Sequence, residues 1–533
     1  MKRLLVIIGL MSLAVWVVYL YLGRLPLGID DAYIFFVYGK NVSAGYGIVY
    51  TPGGERIEGY TSPLWMLITA IGFTLFHSPE FFLLVISVLS ISVGLTAIWY
   101  FVDGTDRITL RGLLFLAWVF SSPSFVLWVS LPLMDTALWS ALLMLSTATV
   151  LSAPVSNSLT VLIALLILTR PEGMLWGLVF IAIAWLMISS RQGTSAVWPK
   201  IRSHLAAYGF TLGGLVIFRM IYFGYPLPNT YYAKISPDIL YNLWLGMSYL
   251  ILFIYTHMQV LVGLVSMLGG IFLSLMWWAK GHHIFDEWSI RYLALSLIMA
   301  ISLLIPVWTG GDHFRLFRFY QSSWPLFILP IFGLLEVIRP RIPHFARYGL
   351  ATGMGLIFFA IPQEVNWYNH LYSKALGVEF RIAQNGRETG TTLNALFKDL
   401  PTVGVIVAGG IAFEYKGRVI DMMGLNNLMM AHAPGHRYGY KDHAAFNANV
   451  FFIQRPDLVL PLIGSPETLV NNYQARYEWP NQILKGLLQD SHFKATYQLA
   501  LISDTQHTVM AYVERNYLNR LMKRGFDVKL VDN

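Results

Sequence analysis

The sequence predicts a polytopic α-helical membrane protein with a soluble α/β domain at its C-terminal end, and three observations predict it. Hydrophobic residues make up 56% and charged residues only 12% of the 533 residues, whereas about a quarter of an ordinary soluble domain is charged. Long apolar runs recur from Leu4 to Ile361, the mark of a chain that crosses a bilayer repeatedly. From Gln363 onward hydrophobicity drops and short strand and helix patterns take over. The domains expected are 1–361 in the membrane and 362–533 outside it, a tail of about 170 residues being enough for one small core.

Each element follows in order. Met1-Lys-Arg-Leu-Leu through Leu22 starts basic and stays apolar with no small-residue cleavage site, the pattern of an uncleaved signal anchor. Lys2 and Arg3 place the N-terminus in the cytoplasm, so residues 23–63 form a first outer loop. The basic loops at Arg107 and Arg111, Arg191 to Arg202, His282 to Arg291 and Arg339 to Arg347 should all be cytoplasmic. That holds only if Ser62–Phe76 and Ile239–Ile254 do not cross. The first has only about 15 residues against the roughly 20 a span needs. Both are read as re-entrant or interfacial helices, leaving about eleven spans. In the tail, Val403 to Gly410 and Pro456 to Pro461 read as buried strands, and Thr391–Leu400 and Asn481–Asp490 as helices.

The net charge of +8 lies largely in short loops and calls for no nucleic-acid partner. With no cysteine there is no disulfide, thiolate metal site or cysteine nucleophile.

The outer segments carry the candidate chemistry. Asp30 and Asp31 open a helix just past the first span. Acids suit a helix start, and Asp30 is a good N-cap. Paired carboxylates can equally serve as general base or divalent-cation ligand. Glu58 follows the Pro52-Gly53-Gly54 turn, where a solvated loop is the default for charge. Asp135 begins a later span, Arg170 and Glu172 join two more, and Asp312, His313, Arg315 and Arg318 share another loop. Individually these read as caps, snorkelling arginines or internal ion pairs. Asn229, Tyr232 and Lys234 lie in an aromatic segment that reads as a membrane-interface belt. Together, Arg170, Lys234, His313, Arg315 and Arg318 suit an anionic phosphate, and arginine can bind it in a fork. The acids and cations in a membrane cleft point to transfer of a group from a lipid phosphate, with the bilayer as a further partner.

The blocks Asp30-Asp-Ala-Tyr-Ile-Phe-Phe, Gly45-Tyr-Gly and Pro52-Gly-Gly-Glu-Arg-Ile-Glu-Gly-Tyr-Thr-Ser-Pro-Leu-Trp resemble the bacterial C-type (GT-C) membrane glycosyltransferases, within them most the arabinofuranosyltransferase branch. The resemblance continues through Leu168-Thr-Arg-Pro-Glu-Gly, Pro226-Leu-Pro-Asn-Thr-Tyr-Tyr-Ala-Lys, Gly310-Gly-Asp-His, Phe317-Arg-Phe, Ile420-Asp-Met-Met-Gly-Leu-Asn and Arg455-Pro-Asp. It implies a GT-C fold with juxtamembrane helices, a polyprenyl-phosphate sugar donor, and a glycan, lipid or protein acceptor on the outer face of the bacterial inner membrane. It also implies that Asp30 or Asp31 activates the acceptor hydroxyl and that the periplasmic tail guides the acceptor. Where relatives commonly read Gly-Leu-Glu-Thr, this chain has Leu133-Met-Asp135-Thr136, an acid one methylene shorter. No nucleotide-binding loop is evident, and none is needed for a lipid-linked donor that is already activated. Asp30 or Asp31 leaves room for a divalent cation, but no all-protein cage can be read. Two alternatives stay open: a hexose or aminopentose transferase acting on lipid A or protein, and a flippase of a polyprenyl-linked saccharide.

Overall fold

An apolar N-terminal helix followed by a returning helix is the first thing the fold displays. In the computed structural model, which describes residues 1–104, 107–279, 287–338, 376–435, 437–471 and 473–531, helix α1 spans Lys2–Leu22 and helix α4 spans Glu80–Asp103. Arg3 is buried and pairs with Asp103 at 2.8 Å, and its guanidinium also donates to the Arg107 carbonyl at 2.7 Å. The start of α1 therefore meets the end of α4, and the two run in opposite directions. Arg107 lies at the N-terminal end of α1, the side the charge pattern assigned to it. Between these helices lie α2, Asp30–Ser43, and α3, Pro63–Leu75. The 13 residues of α3 rise only about 20 Å, short of a hydrocarbon core of about 30 Å. Ser62 caps α3 by accepting from Trp65 N, and Pro63 sits at its first position.

The described chain is mostly helical, and six of its helices are long and apolar enough to cross a membrane: Lys2–Leu22, Glu80–Asp103, Gly173–Gln192, Trp198–Tyr222, Ile239–Thr256 and Ile290–Trp308. Large apolar side chains point outward from them, among them Trp16, Phe210, Ile221 and Leu240, a surface that lipid rather than water accommodates. The protein is a multi-pass membrane protein on these grounds. Ile239–Thr256 differs from the sequence reading: its 18 residues meet the requirement for a span by length and composition, because the helix continues two residues past Ile254. The expected spans, loops and domain boundary within 280–286 and 339–375 lie outside the described residues.

Two compact units divide the chain, and neither is continuous in sequence. The first comprises Met1–Leu25, Phe82–Leu215 and Ile239–His370; the second comprises Pro26–Phe81, Val216–Asp238 and Leu371–Asn533. The chain thus does not separate into one stretch before 361 and one after it: the acidic loop and the Pro226-to-Lys234 segment fold with the tail. In the first unit, Trp118 and Trp324 stack with ring centroids 4.6 Å apart, and each indole N–H donates to the other's backbone carbonyl. That arrangement satisfies two buried donors without water.

The second unit contains a six-stranded sheet in the order β2-β1-β3-β5-β4-β6. Strands β1 (Val403–Val405), β2 (Val419–Asp421) and β3 (Leu458–Leu460) run parallel. The hairpin β4 (Tyr497–Ser503) and β5 (Thr508–Glu514), with β6 (Asp527–Leu530), adds antiparallel pairs. A core of Met422, Phe451, Phe493, Tyr497 and Tyr512 covers the sheet. The tail helices are shifted from expectation. One runs Leu376–Leu396 and stops short of the expected Leu400, which has positive φ and precedes Pro401. The other runs Tyr473–Ile483 and is ended by positive φ at Lys485 and Gly486.

Candidate functional site

The acid pair sits at the start of α2 and the fold gives its two members different surroundings. Asp30 is buried, and each of its carboxylate oxygens accepts a backbone N–H from the tail: Gly409 N at 2.9 Å and Gly410 N at 2.8 Å. A side chain at position 409 would not fit, since a Cβ there would lie 1.8 Å from the Asp30 carbonyl oxygen. Asp30 therefore joins the first loop to the tail. Asp31 is half-buried, its carboxylate 3.9 Å from Lys234 Nζ. Asp31 is thus the more exposed acid of the pair.

Burial pushes the Asp30 carboxyl up from 3.8 to about 6; Asp31 and Asp421 push the same way, and the two N–H bonds pull it back. Because the folded value lies above the unfolded one, the stability this group contributes is complete below about pH 3.8 and is lost as pH rises through about 6. The gap in unfolding temperature between the wild type and Asp30→Asn is therefore expected to narrow from about pH 4 to about pH 6. A gap that stays constant over that range, followed in one detergent, would contradict the burial of this carboxyl.

Glu58 is the loop's other buried acid. It forms a two-pronged ion pair with Arg219, Nε to Oε2 at 2.7 Å and a second guanidinium nitrogen to Oε1 at 2.9 Å. Burial pushes Glu58 up, and Arg219 pulls it back. The default of a solvated loop charge is thus corrected: Glu58 is 3% exposed. Its carbonyl accepts from Asn229 N, and the Asn229 amide donates to the carbonyls of Gly424 and Leu425. Tyr38 donates to Asn426 and accepts from Gly59 N, and Asp421 holds the turn through Met423 N and Asn426 N. Glu58, Asn229 and Asp421 are consequently framework residues of this unit. Tyr232 packs at a tilt against His432, ring centroids 4.4 Å apart, with Tyr225 against the same imidazole at 4.2 Å.

In the first unit a second set of charges converges. Arg170 Nε lies 3.5 Å from Asp135 and 3.6 Å from Glu172, too far for hydrogen bonds. Among the described residues, Arg170 Nε, Asp135 Oδ2 and Glu172 Oε2 are buried and make no hydrogen bond. Arg318 is held more tightly, with Nε donating to Asp312 at 2.8 Å, while His313 Nδ1 lies 3.6 Å from the same acid. The ring of Phe319 stands between the two guanidiniums, 5.0 Å from Arg170 and 5.2 Å from Arg318. Leu133, Leu316 and Phe317, just before Asp135 and Arg318, all have positive φ, a strain of about 1–3 kcal/mol each that gathers at functional sites.

The reading of internal ion pairs describes most of these cations. Arg170 and Arg318 are matched by Asp135, Glu172 and Asp312 in the first unit, and Lys234 stands beside Asp31 in the second. Arg315 is exposed. Sequence reasoning missed Arg219, and it gave Asp421 and Phe319 no role beyond the blocks that contain them. Arg219 carried a usable signal, a lone arginine in an apolar stretch, since such charges are costly near lipid and need a partner. No model of a known protein family matches this chain, and no curated protein does either.

Proposed function

We propose that this protein is a GT-C membrane glycosyltransferase that moves a sugar, arabinofuranose by resemblance, from a polyprenyl phosphate to an acceptor outside the bacterial inner membrane. In this reading the chain has about eleven spans, with the acid pair and the tail on the outer face. Asp31 takes the proton of the acceptor hydroxyl as its oxygen bonds to the anomeric carbon. The bond from that carbon to the phosphate oxygen breaks, and the lipid phosphate leaves with the electron pair. Arg170 and Arg318, each neighboured by an acid of its own unit, are the residues proposed to bind the donor phosphate.

The observation that carries the reading is the division of labour in the acid pair. Asp30 is committed to two backbone N–H groups, while its neighbour Asp31 stays half-buried beside a lysine. A second support is Arg170, a buried guanidinium whose Nε has no hydrogen-bond partner among the described residues, as suits an anion binder.

The test is transfer by the purified full chain in detergent, supplied with polyprenyl-phosphate arabinofuranose and an oligosaccharide acceptor, with product followed by mass spectrometry. Product is expected from the lipid-linked donor and not from a nucleotide sugar. Product from the nucleotide donor, or none from any of a set of polyprenyl-phosphate pentoses and hexoses, overturns the reading.

A further inference from the structure

We propose that His432 is a positioning residue for the acid pair: its neutral imidazole clamps the segment that sets Lys234 beside Asp31, and protonation opens the clamp. The inference rests on the proposed glycosyl transfer only in taking Asp31 as the base. The segment, residues 225–234, ends in a helix of six residues, Asn229–Lys234. Isolated helices shorter than about 12–15 residues are marginal in water, so its place depends on side chains. The Asn229 amide fixes the start of the helix to the Gly424 and Leu425 carbonyls.

Further along, the hold is a triangle of rings. The His432 imidazole lies 4.4 Å from the Tyr232 ring and 4.2 Å from the Tyr225 ring, and the two phenols are 5.7 Å apart, all between centroids. Pro226 and Pro228 fix φ in the stretch that joins the tyrosines, so one imidazole pins the segment at two points. Ala233 adds a small contact with Ala431 and Ala445. Two residues past Tyr232, Lys234 Nζ stands 3.9 Å from the Asp31 carboxylate. That separation is at the limit of an ion pair, so a small shift of the segment changes the charge Asp31 meets.

The surroundings keep this imidazole neutral. Its Nε2 is buried and makes no hydrogen bond among the described residues. Arg437 donates to the carbonyls of the residues on either side, Ala431 at 2.6 Å and Ala433 at 3.0 Å. The groups facing His432 are thus two phenols and a guanidinium, with Lys485 close enough to Arg437 to feel its charge. Among the described residues no carboxylate pairs with it. A charged imidazole carries an N–H on both nitrogens, so protonation puts a buried donor with no acceptor at Nε2 and a second cation near Arg437. Ring faces attract a cation, but burial and Arg437 win and hold the group below its ordinary 6.5. With the folded value below the unfolded one, the clamp is complete above about pH 6.5 and is lost as pH falls through the folded value.

The experiment exploits a chain without cysteine. A spin label on Tyr231→Cys, an exposed position, reports the segment alone in the full chain in one detergent. With His432 present, the label is expected to pass from a restricted to a mobile spectrum as pH falls from about 7.5 to about 5, a range that brackets an imidazole. His432→Phe keeps a ring that cannot titrate and should stay restricted throughout, which separates His432 from Asp30, whose carboxyl titrates in the same range. His432→Gln should show one mobility at every pH. A label that stays restricted with His432 present, or that loosens equally in the two substituted proteins, overturns the clamp. In transfer assays His432→Ala is expected to lower turnover about tenfold or more, yet to add nothing in a Lys234→Met background, because it acts through that lysine. His432→Phe should extend turnover to lower pH. Additive losses overturn the positioning role. If no lipid-linked sugar is transferred at all, the label still decides the clamp, and only the chemistry assigned to Asp31 is removed.

Discussion

Asp31→Asn is expected to reduce sugar transfer by about 10²–10⁴-fold, the range that a positioned general base contributes, without lowering the unfolding temperature. The amide is nearly the same shape but cannot take the acceptor's proton. Its neighbour supplies the control. Asp30→Asn leaves one of the Gly409 and Gly410 N–H groups facing an amide NH₂, and a buried donor without an acceptor costs about 1–3 kcal/mol. The two adjacent substitutions should therefore fail in different ways, one in turnover and the other in stability. Wild-type turnover in folded Asp31→Asn would remove this residue from the chemistry. An Asp30→Asn protein as stable as the wild type at about pH 4, where the gap should be widest, would remove the structural role assigned to Asp30.

Glu58→Gln is expected to destabilise the second unit by about 3–5 kcal/mol, because it leaves the Arg219 guanidinium buried without a counter-charge. Replacing both partners with apolar residues, Glu58→Leu together with Arg219→Met, should recover most of that loss, since burying two charges is costly in the first place. Denaturation in detergent, read by tryptophan fluorescence or proteolysis, measures both. A single variant within about 0.5 kcal/mol of the wild type, the range of ordinary surface changes, would mean that the pair is solvated. Any activity lost in Glu58→Gln should follow the folded fraction, which separates it from Asp31→Asn.

Features fixed by neighbours in sequence were legible in advance. The helix from Lys2 to Leu22 follows from one unbroken apolar run, the helix at Pro63 from the shorter apolar run to Phe76, and the turn at Pro52-Gly53 from a proline that fixes φ and a glycine that accepts a positive one. The partners of the acids were not. Glu58 and Arg219 are 161 positions apart, and no local pattern says that one loop carboxylate will meet a guanidinium at the end of a distant helix. Asp30 illustrates the same gap: its position suggested a cap for α2, whereas it accepts the N–H groups that open a short tail helix, Gly410–Glu414. The strands β1, β2 and β3 have three residues each, too few for an alternating pattern, so the sheet order emerges only from tertiary pairing.

The bonds from Asp30 to Gly409 and Gly410 join residues separated by 379 and 380 positions, and this has a consequence for biogenesis. At a synthesis rate of about 5–20 residues per second, the acidic loop waits roughly 20–80 s for its tail partners to be made. During that interval the Asp30 carboxylate must rely on water or on other components of the membrane-insertion machinery. A nascent chain, or one cut short before the sheet, would thus carry the acid pair without the frame that distinguishes its two members. Completion of the last third of the polypeptide would then serve as a checkpoint on when the loop first becomes competent.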